Sequence, residues 1–122
     1  MLIDSNIIIY AARPEHQELR RFIAKHTPAV SVVSYVEVLG YHRLTEQDRR
    51  YFEDFFIAAP LVQISTDILE RATHLRQQRA IGLGDALIGA TALVHDLQLL
   101  TANTDDFQWI SDLRLTNPVA QT

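Results

Sequence analysis

The sequence predicts a single domain with an α/β fold and a largely parallel sheet. One observation predicts the fold class and a second predicts the single domain. Short apolar segments alternate with longer segments in which apolar residues recur at helical spacing. No Gly/Ser-rich linker, repeat or low-complexity run divides the 122 residues, of which 48% are hydrophobic. We therefore expect one domain over residues 1–122, large enough to fold without metal or disulfide crosslinks.

Four short apolar segments are the strand candidates. They are Met1 to Ile3, Val30 to Val33, Leu61 to Ile64 and Gln98 to Thr101. The second and third follow a proline by one or two residues, and such boundaries are typical of strands. In open parallel sheets, ligand sites lie beyond the carboxyl ends of the strands. The side chains that follow these segments are therefore the candidates for function.

Amphipathic segments between the strand candidates predict the helices. They extend over residues 6–12, 15–26, 45–59, 66–80 and 85–96. The last segment is apolar over most of its length, and it follows Gly82 and Gly84, which interrupt the helical pattern.

Four carboxylates stand at junctions between the predicted elements. Asp4 follows the first strand, Glu37 follows the second by a few residues, Asp85 opens the apolar helix and Asp106 follows the fourth strand. Each also has a purely structural interpretation. Ser34 and Glu37 match a capping box. Asp4 and Asp85 are suitable helix caps, and Asp106 is suited to an Asx turn.

Together, the four carboxylates indicate a metal site. The predicted topology brings them to one edge of the sheet, and Lys25, the only lysine, is near none of them in sequence. Carboxylates gathered without compensation repel one another unless a divalent cation lies among them. Oxygen ligands favour Mg²⁺ or Mn²⁺ over zinc. The absence of cysteine excludes a thiolate site and a cysteine nucleophile.

The segments around these carboxylates resemble the ordered sequence blocks of the PIN domain family, in the version found in VapC-type toxins of prokaryotic toxin–antitoxin operons. The blocks are MLIDSNIIIY, SVVSYVEVLG, LGDALIGATAL and LLTANTDDF, and the resemblance extends from Met1 to about Leu115. It implies a single PIN domain, built as a three-layer α/β/α sandwich around a mainly parallel sheet. It also implies endoribonuclease activity that depends on Mg²⁺ or Mn²⁺.

Three acidic positions of the family are matched directly, by Asp4, Glu37 and Asp85. The resemblance implies that they are catalytic metal ligands. RNA phosphodiester bonds would then be hydrolysed by metal-activated water, without a covalent intermediate. None of the five histidines lies in the four blocks, which argues against a metal-independent histidine mechanism.

The fourth ligand position falls in the threonine-led loop after the last predicted strand. The resemblance favours Asp106 there, with Asn103 as a further oxygen donor and Asp105 as an alternative. Ser5 and Thr101 are expected to orient the carboxylates through hydrogen bonds, as metal ligands usually require.

The net charge of −4 at first argues against a nucleic-acid partner, because polyanions are usually met by basic surfaces. Removing the four junction carboxylates from the fifteen acidic residues leaves eleven, against eleven basic ones. The net charge of the chain therefore equals the summed charge of the four predicted ligands, and two divalent cations would balance it. Ten of the basic residues are arginines, of which Arg13 and Arg79 are the predicted substrate contacts.

The resemblance also implies partners. They are an RNA substrate, a second copy in a homodimer, and a cognate antitoxin whose carboxyl-terminal segment occupies a groove. The aromatic residues Tyr51, Phe52, Phe55 and Phe56 fit either the helix core or one of these protein contacts. No apolar run is long enough for a bilayer and no signal peptide is evident, so we expect a cytoplasmic protein without membrane contact.

Two other functions stay open from the sequence. An RNA-processing PIN nuclease without a cognate antitoxin would carry the same residues. A phosphoacceptor receiver module shares the length and the α/β pattern. It would need a paired acidic cluster after the first strand, an aspartate ending a middle strand and a late lysine, whereas the chain has the single Asp4 and none of the others.

Overall fold

One parallel sheet forms the centre of the structure, a computed structural model that describes residues 1–119. The strands are β1 (Leu2–Ile3), β2 (Ala29–Ser31), β3 (Leu61–Val62), β4 (Leu99–Leu100) and β5 (Leu115–Thr116). Their spatial order is β3-β2-β1-β4-β5. The strand order therefore reverses between β1 and β4, the point at which open α/β sheets bind ligands.

Strand β1 is paired on both sides. Leu2 is in register with Ala29 of β2 and with Leu99 of β4. One residue past the strand, the backbone N–H of Asp4 donates to the carbonyl oxygen of Leu100 at 2.8 Å. This bond continues the ladder and places Asp4 at the carboxyl edge of the sheet.

Helices cover both faces of the sheet. Within residues 1–119 they are α1 (Ser5–Ala11), α2 (Gln17–His26), α3 (Val32–Leu39), α4 (Glu46–Ala58), α5 (Thr66–Gln78), α6 (Leu83–Val94) and α7 (Thr104–Phe107). None of the helices in this part of the chain is both long and apolar enough to cross a membrane.

The two residues of β1 face opposite layers, as alternation along a strand requires. Leu2 packs with buried residues of α5, α6 and α7, among them Ile88. Ile3 packs with buried residues of α1 to α4, among them Ile7 and Phe52. Two apolar cores, one on each side of the sheet, make the three-layer sandwich, so the predicted fold class is confirmed.

The second predicted strand ends earlier than expected. Val32 and Val33 open α3, because the side chain of Ser31 caps this helix by accepting from the N–H of Val33 at 3.1 Å. The capping box assigned to Ser34 and Glu37 is therefore wrong, and Ser34 is buried within the helix. The sequence prediction also missed α3, α7 and β5.

The aromatic residues of α4 belong to the core on its side of the sheet. Phe52 and Phe56 are 4% and 3% exposed. Tyr51 and Phe55 pack against the same core and are half-buried. The helix-core interpretation accounts for all four residues, and Ile57, at 84% exposed, is the apolar side chain that α4 leaves outside.

Candidate metal centre

Asp4 lies where β1 ends and α1 begins. Its side chain is only 5% exposed. One carboxylate oxygen, Oδ1, accepts from the backbone N–H of Ser5 at 2.7 Å. The other, Oδ2, accepts from the hydroxyl of Thr101 at 2.8 Å. Asp4 therefore caps α1, as its structural interpretation predicted, and both of its oxygens are held in place.

The electrostatic environment of Asp4 is unfavourable to its charge. Burial raises its pKa from the ordinary 3.8 to about 6, and the carboxylates of Asp85 and Glu37 add to the rise. The hydrogen bonds from Thr101 and Ser5 lower the pKa in part. No ion pair formed within residues 1–119 involves Asp4. A buried carboxylate without a basic partner is a typical feature of functional sites.

Glu37 is brought to Asp4 through Ser5. The Ser5 hydroxyl donates to Glu37 Oε1 at 2.7 Å and is also hydrogen-bonded to the hydroxyl of Ser34 at 2.8 Å. Ser5 thus touches one carboxylate with its backbone and another with its side chain. Ser34 supports this bridge from inside α3, a role that the sequence analysis did not assign to it.

Gly84 allows α6 to approach Glu37 closely. A Cβ built at Gly84 would lie 2.5 Å from Glu37 Oε2, well inside van der Waals contact. At Gly82 a Cβ would meet no atom within 4 Å. The sequence showed Gly84 only as a break in the helical pattern. Its position directly before a predicted ligand was the signal that it packs against the site.

Asp85 interacts electrostatically with each of the other three predicted ligands. Burial raises its pKa, and the charges of Asp106 and Glu37 raise it further. Helix α6 begins at Leu83 after the N-cap Gly82, so the expected N-cap role of Asp85 is wrong. Its place in the first turn still sets its charge against the positive end of the helix dipole, which favours an anion.

Among the three candidates for the fourth ligand, Asp106 is the one whose charge raises the pKa of Asp85. It lies inside α7, so the Asx-turn interpretation does not apply. Asn103 precedes α7, and its backbone N–H donates to Thr101 Oγ1 at 3.1 Å. Asp105 is exposed, and its charge is not among those that raise the pKa of Asp85.

Asn6 is a site residue that the sequence analysis missed. Its Oδ1 accepts from the backbone N–H of Ala102 at 3.2 Å, and its Nδ2 lies 3.4 Å from Thr101 Oγ1. Asn6 therefore ties α1 to the loop that carries Thr101, whose hydroxyl holds Asp4. A polar amide directly after Asp-Ser, in an otherwise apolar segment, was the available signal.

Each of the two predicted substrate arginines places its guanidinium over an aromatic ring. The guanidinium carbon of Arg13 lies 4.8 Å from the ring centroid of Tyr10, and that of Arg79 lies 5.6 Å from the ring centroid of Trp109. Neither takes part in an ion pair within residues 1–119. Arg49, by contrast, pairs with two glutamates of α4, as expected for a solvated helix surface.

The chemistry of these side chains fits a hard divalent cation, although their oxygen atoms do not converge on a single position in this structure. Within residues 1–119, no group of three or more His, Asp or Glu side chains meets the spacing needed to hold a metal ion. Glu37 and Asp106 are exposed, so they can rotate toward the buried Asp4. Carboxylate oxygens are the ligands that Mg²⁺ and Mn²⁺ prefer. Gly84 leaves the room that the Glu37 carboxylate needs.

We expect the metal-free protein to lose stability as the pH rises from about 4 to 7. Asp4 binds its proton more tightly in the folded state, with a pKa of about 6 against 3.8, so ionisation favours unfolding by up to about 3 kcal/mol. Urea unfolding in EDTA across this range measures the effect. A free energy of unfolding that rises steadily with pH would contradict it.

An all-parallel α/β sandwich with a buried aspartate at the reversal of strand order, and further carboxylates beside it, defines a class of proteins with an acidic site at the carboxyl edge of the sheet. The sequence model of one such family, the PIN domain, matches residues 1–112. This chain belongs to the PIN domain family. That membership removes the receiver-module alternative.

Comparison with individual proteins shows that, within the PIN domain family, the chain is similar to VapC proteins. Ribonuclease VapC10 of Mycobacterium tuberculosis is 38% identical over 92 residues, covering 70% of this chain and 67% of that protein. A toxin–antitoxin complex from Klebsiella pneumoniae matches with a TM-score of 0.75 and 31% identity over 96% of both chains. VapBC2 from Rickettsia felis, bound to a promoter DNA fragment, gives a TM-score of 0.81 at 23% identity over 95% and 96% of the chains, which supports the fold alone. The resemblance to VapC-type members is thereby confirmed.

Proposed function

We propose that this protein is a divalent-metal-dependent endoribonuclease and the toxin of a toxin–antitoxin pair. The observation that carries the proposal is Asp4, a 5% exposed carboxylate at the reversal of strand order, with two other carboxylates near enough to raise its pKa. The M. tuberculosis relative is named a ribonuclease, which supports RNA as the substrate. The K. pneumoniae structure is a toxin–antitoxin complex, which supports an antitoxin as the partner.

Asp4, Glu37 and Asp85 would hold the metal, with Asp106 binding directly or through water. When bound, Mg²⁺ or Mn²⁺ lowers the pKa of a water molecule and neutralises charge on the phosphate that it attacks. The resident ion is expected to be one of these two because the donors are all oxygen atoms. Asn103 is the nearby amide that can add an oxygen.

The hydrogen bonds around Asp4 keep it available as a ligand. Thr101 and Ser5 donate to its two oxygens and lower its pKa, opposing the effect of burial. A carboxylate must be ionised to bind a cation. With a pKa of about 6, Asp4 is mostly ionised at neutral pH, and it is held in one orientation by these two donors.

The remaining groups are assigned to RNA and protein contacts. Guanidinium groups match phosphate oxygens, and Arg13 and Arg79 are exposed and take no part in ion pairs within the described residues. A homodimer and a cognate antitoxin complete the proposed assembly.

RNA cleavage should stop when divalent metal is removed. Protein treated with EDTA should cut total cellular RNA at least about a thousandfold more slowly, since loss of the ion removes several kcal/mol of transition-state stabilisation. Adding Mg²⁺ or Mn²⁺ in excess of EDTA should restore the rate. Gel analysis of end-labelled RNA measures it, and EDTA already saturated with Mg²⁺ is the control. Undiminished cleavage in EDTA would refute the proposal.

A further inference from the structure

Trp109 connects two parts of the candidate site that are separate in sequence. Its indole Nε1 donates to the backbone carbonyl oxygen of Asp106 at 3.0 Å. The guanidinium of Arg79 lies over its ring, with 5.6 Å between the guanidinium carbon and the ring centroid. One side chain therefore touches both the helix of a predicted ligand and a predicted substrate contact.

Arg79 lies in the connection that leads from α5 to α6, six residues before Asp85. Helix α5 ends at Gln78, and the backbone of Arg79 is extended, with φ −161° and ψ 153°. Arg76, in the last turn of α5, donates to the carbonyl oxygen of Ile81 at 3.0 Å. This bond ties down the connection, which leads within a few residues to Asp85.

Arg79 differs from the arginines that carboxylates neutralise. Arg21, Arg49, Arg50 and Arg114 each pair with an acidic side chain, whereas no ion pair within residues 1–119 involves Arg79. A guanidinium held by an aromatic face keeps the N–H groups along its edge available to an anion. Arg79 is also exposed, so an RNA strand can reach it.

We propose that Trp109 is a positioning residue that holds Arg79 for a phosphate of bound RNA on the Asp106 side of the carboxylates. The indole bond to the Asp106 carbonyl orients the ring, and the ring face orients the guanidinium. Trp109 acts through Arg79 and itself touches no reacting atom. The assignment rests on the proposed function, because it takes RNA as the substrate.

A double-mutant cycle on RNA binding tests this role. The probe is a fluorescein-labelled, mixed-sequence single-stranded RNA, and anisotropy is measured with Mg²⁺ in an Asp4→Asn background, in which we expect no cleavage. Arg79→Ala should weaken binding about fivefold. It should also lower the slope of log affinity against log salt by about 0.7, the value for one phosphate contact on a single strand.

Trp109→Leu keeps apolar volume against the core but removes the ring and its N–H. It should weaken binding about two- to fivefold, the range expected for a cation–π contact. It should also lower the salt slope although it removes no charge. In the Arg79→Ala background it should change neither quantity. Trp109→Phe keeps a ring face but loses the N–H that orients it, so it should weaken binding less, by about twofold, and this loss should also disappear in the Arg79→Ala background.

If the losses caused by the two substitutions are additive, Trp109 only packs in the core and the proposal is overturned. An unchanged affinity and salt slope for Arg79→Ala would also overturn it. Thermal unfolding checks the fold of each variant. If Trp109→Leu does not fold, the coupling is read from Trp109→Phe, and a loss there that persists without Arg79, or no loss at all, overturns the proposal. Wild-type protein that cuts RNA with metal while the cycle is additive refutes only this role. Wild-type protein that neither binds nor cuts RNA refutes the proposed function as well.

Discussion

Replacing Asp4 with asparagine should abolish RNA cleavage and also make the metal-free protein more stable at neutral pH. Asparagine removes the buried charge but keeps the size of the side chain and an acceptor for the N–H of Ser5. The Thr101 hydroxyl, which now donates to Asp4, also accepts from the backbone N–H of Asn103, so an amide at position 4 replaces this hydrogen bond only in part. We expect a loss of cleavage of at least about a thousandfold and a gain of about 1–3 kcal/mol in the free energy of unfolding.

Urea unfolding in EDTA near pH 7 and near pH 4 measures the gain in stability, which should shrink at the lower pH because Asp4 is then protonated in the folded protein. Asp54→Asn, an exposed aspartate on α4, is the matched control and should change neither quantity. Expression of the wild type should arrest growth, and expression of Asp4→Asn should not. Wild-type cleavage by Asp4→Asn, or a loss of stability near pH 7, would refute the role assigned to Asp4.

Gly84→Ala should lower cleavage about a hundredfold with little effect on stability. The added Cβ would lie 2.5 Å from Glu37 Oε2, so the carboxylate has to move from the position that Ser5 holds. A displacement of about 1 Å in a catalytic constellation can cost about 10²-fold in rate. Stability should hold because the Cβ meets only the end of the exposed Glu37 side chain, which can move aside, and because alanine favours the helix over glycine.

Gly82→Ala is the matched control, since a Cβ there meets nothing within 4 Å. Its backbone angles, φ −63° and ψ 153°, are accessible to alanine. Cleavage by this variant should stay near the wild-type rate. Initial rates on one RNA substrate, with unfolding curves for both variants, make the comparison. Equal activity of the two variants would show that the approach of α6 to Glu37 does not matter.

Much of the fold follows from local patterns in the sequence. The helices near residues 17–26, 46–58 and 66–78 were predicted because their apolar residues recur at helical spacing. Asp4 could be placed at a sheet edge because it follows a short apolar strand in an α/β pattern, and such edges carry the sites. These inferences need only neighbouring residues and the general geometry of parallel sheets.

The contacts that organise the candidate site could not be predicted in this way. Asn6 and Ala102 are 96 residues apart in sequence, and Ser5 and Glu37 are 32 apart. These hydrogen bonds depend on how the layers pack. Strand β5 has two residues, as β1, β3 and β4 also have, but it lies between Arg114 and Asn117, outside any apolar run. Helix α3 was not among the predicted helices, because Val32 and Val33 favour strands locally, whereas Ser31 caps a helix there.

The central claim is that Asp4, Glu37 and Asp85 together hold a divalent cation. Anomalous diffraction from crystals grown with Mn²⁺ tests it most directly, because the signal locates the ion independently of activity. We expect a peak at the carboxyl edge between β1 and β4, bonded to Asp4 and in direct or water-mediated contact with Glu37 and Asp85, and no such peak in Asp4→Asn crystals. A strong peak elsewhere, or none among these carboxylates at saturating Mn²⁺, would contradict the claim.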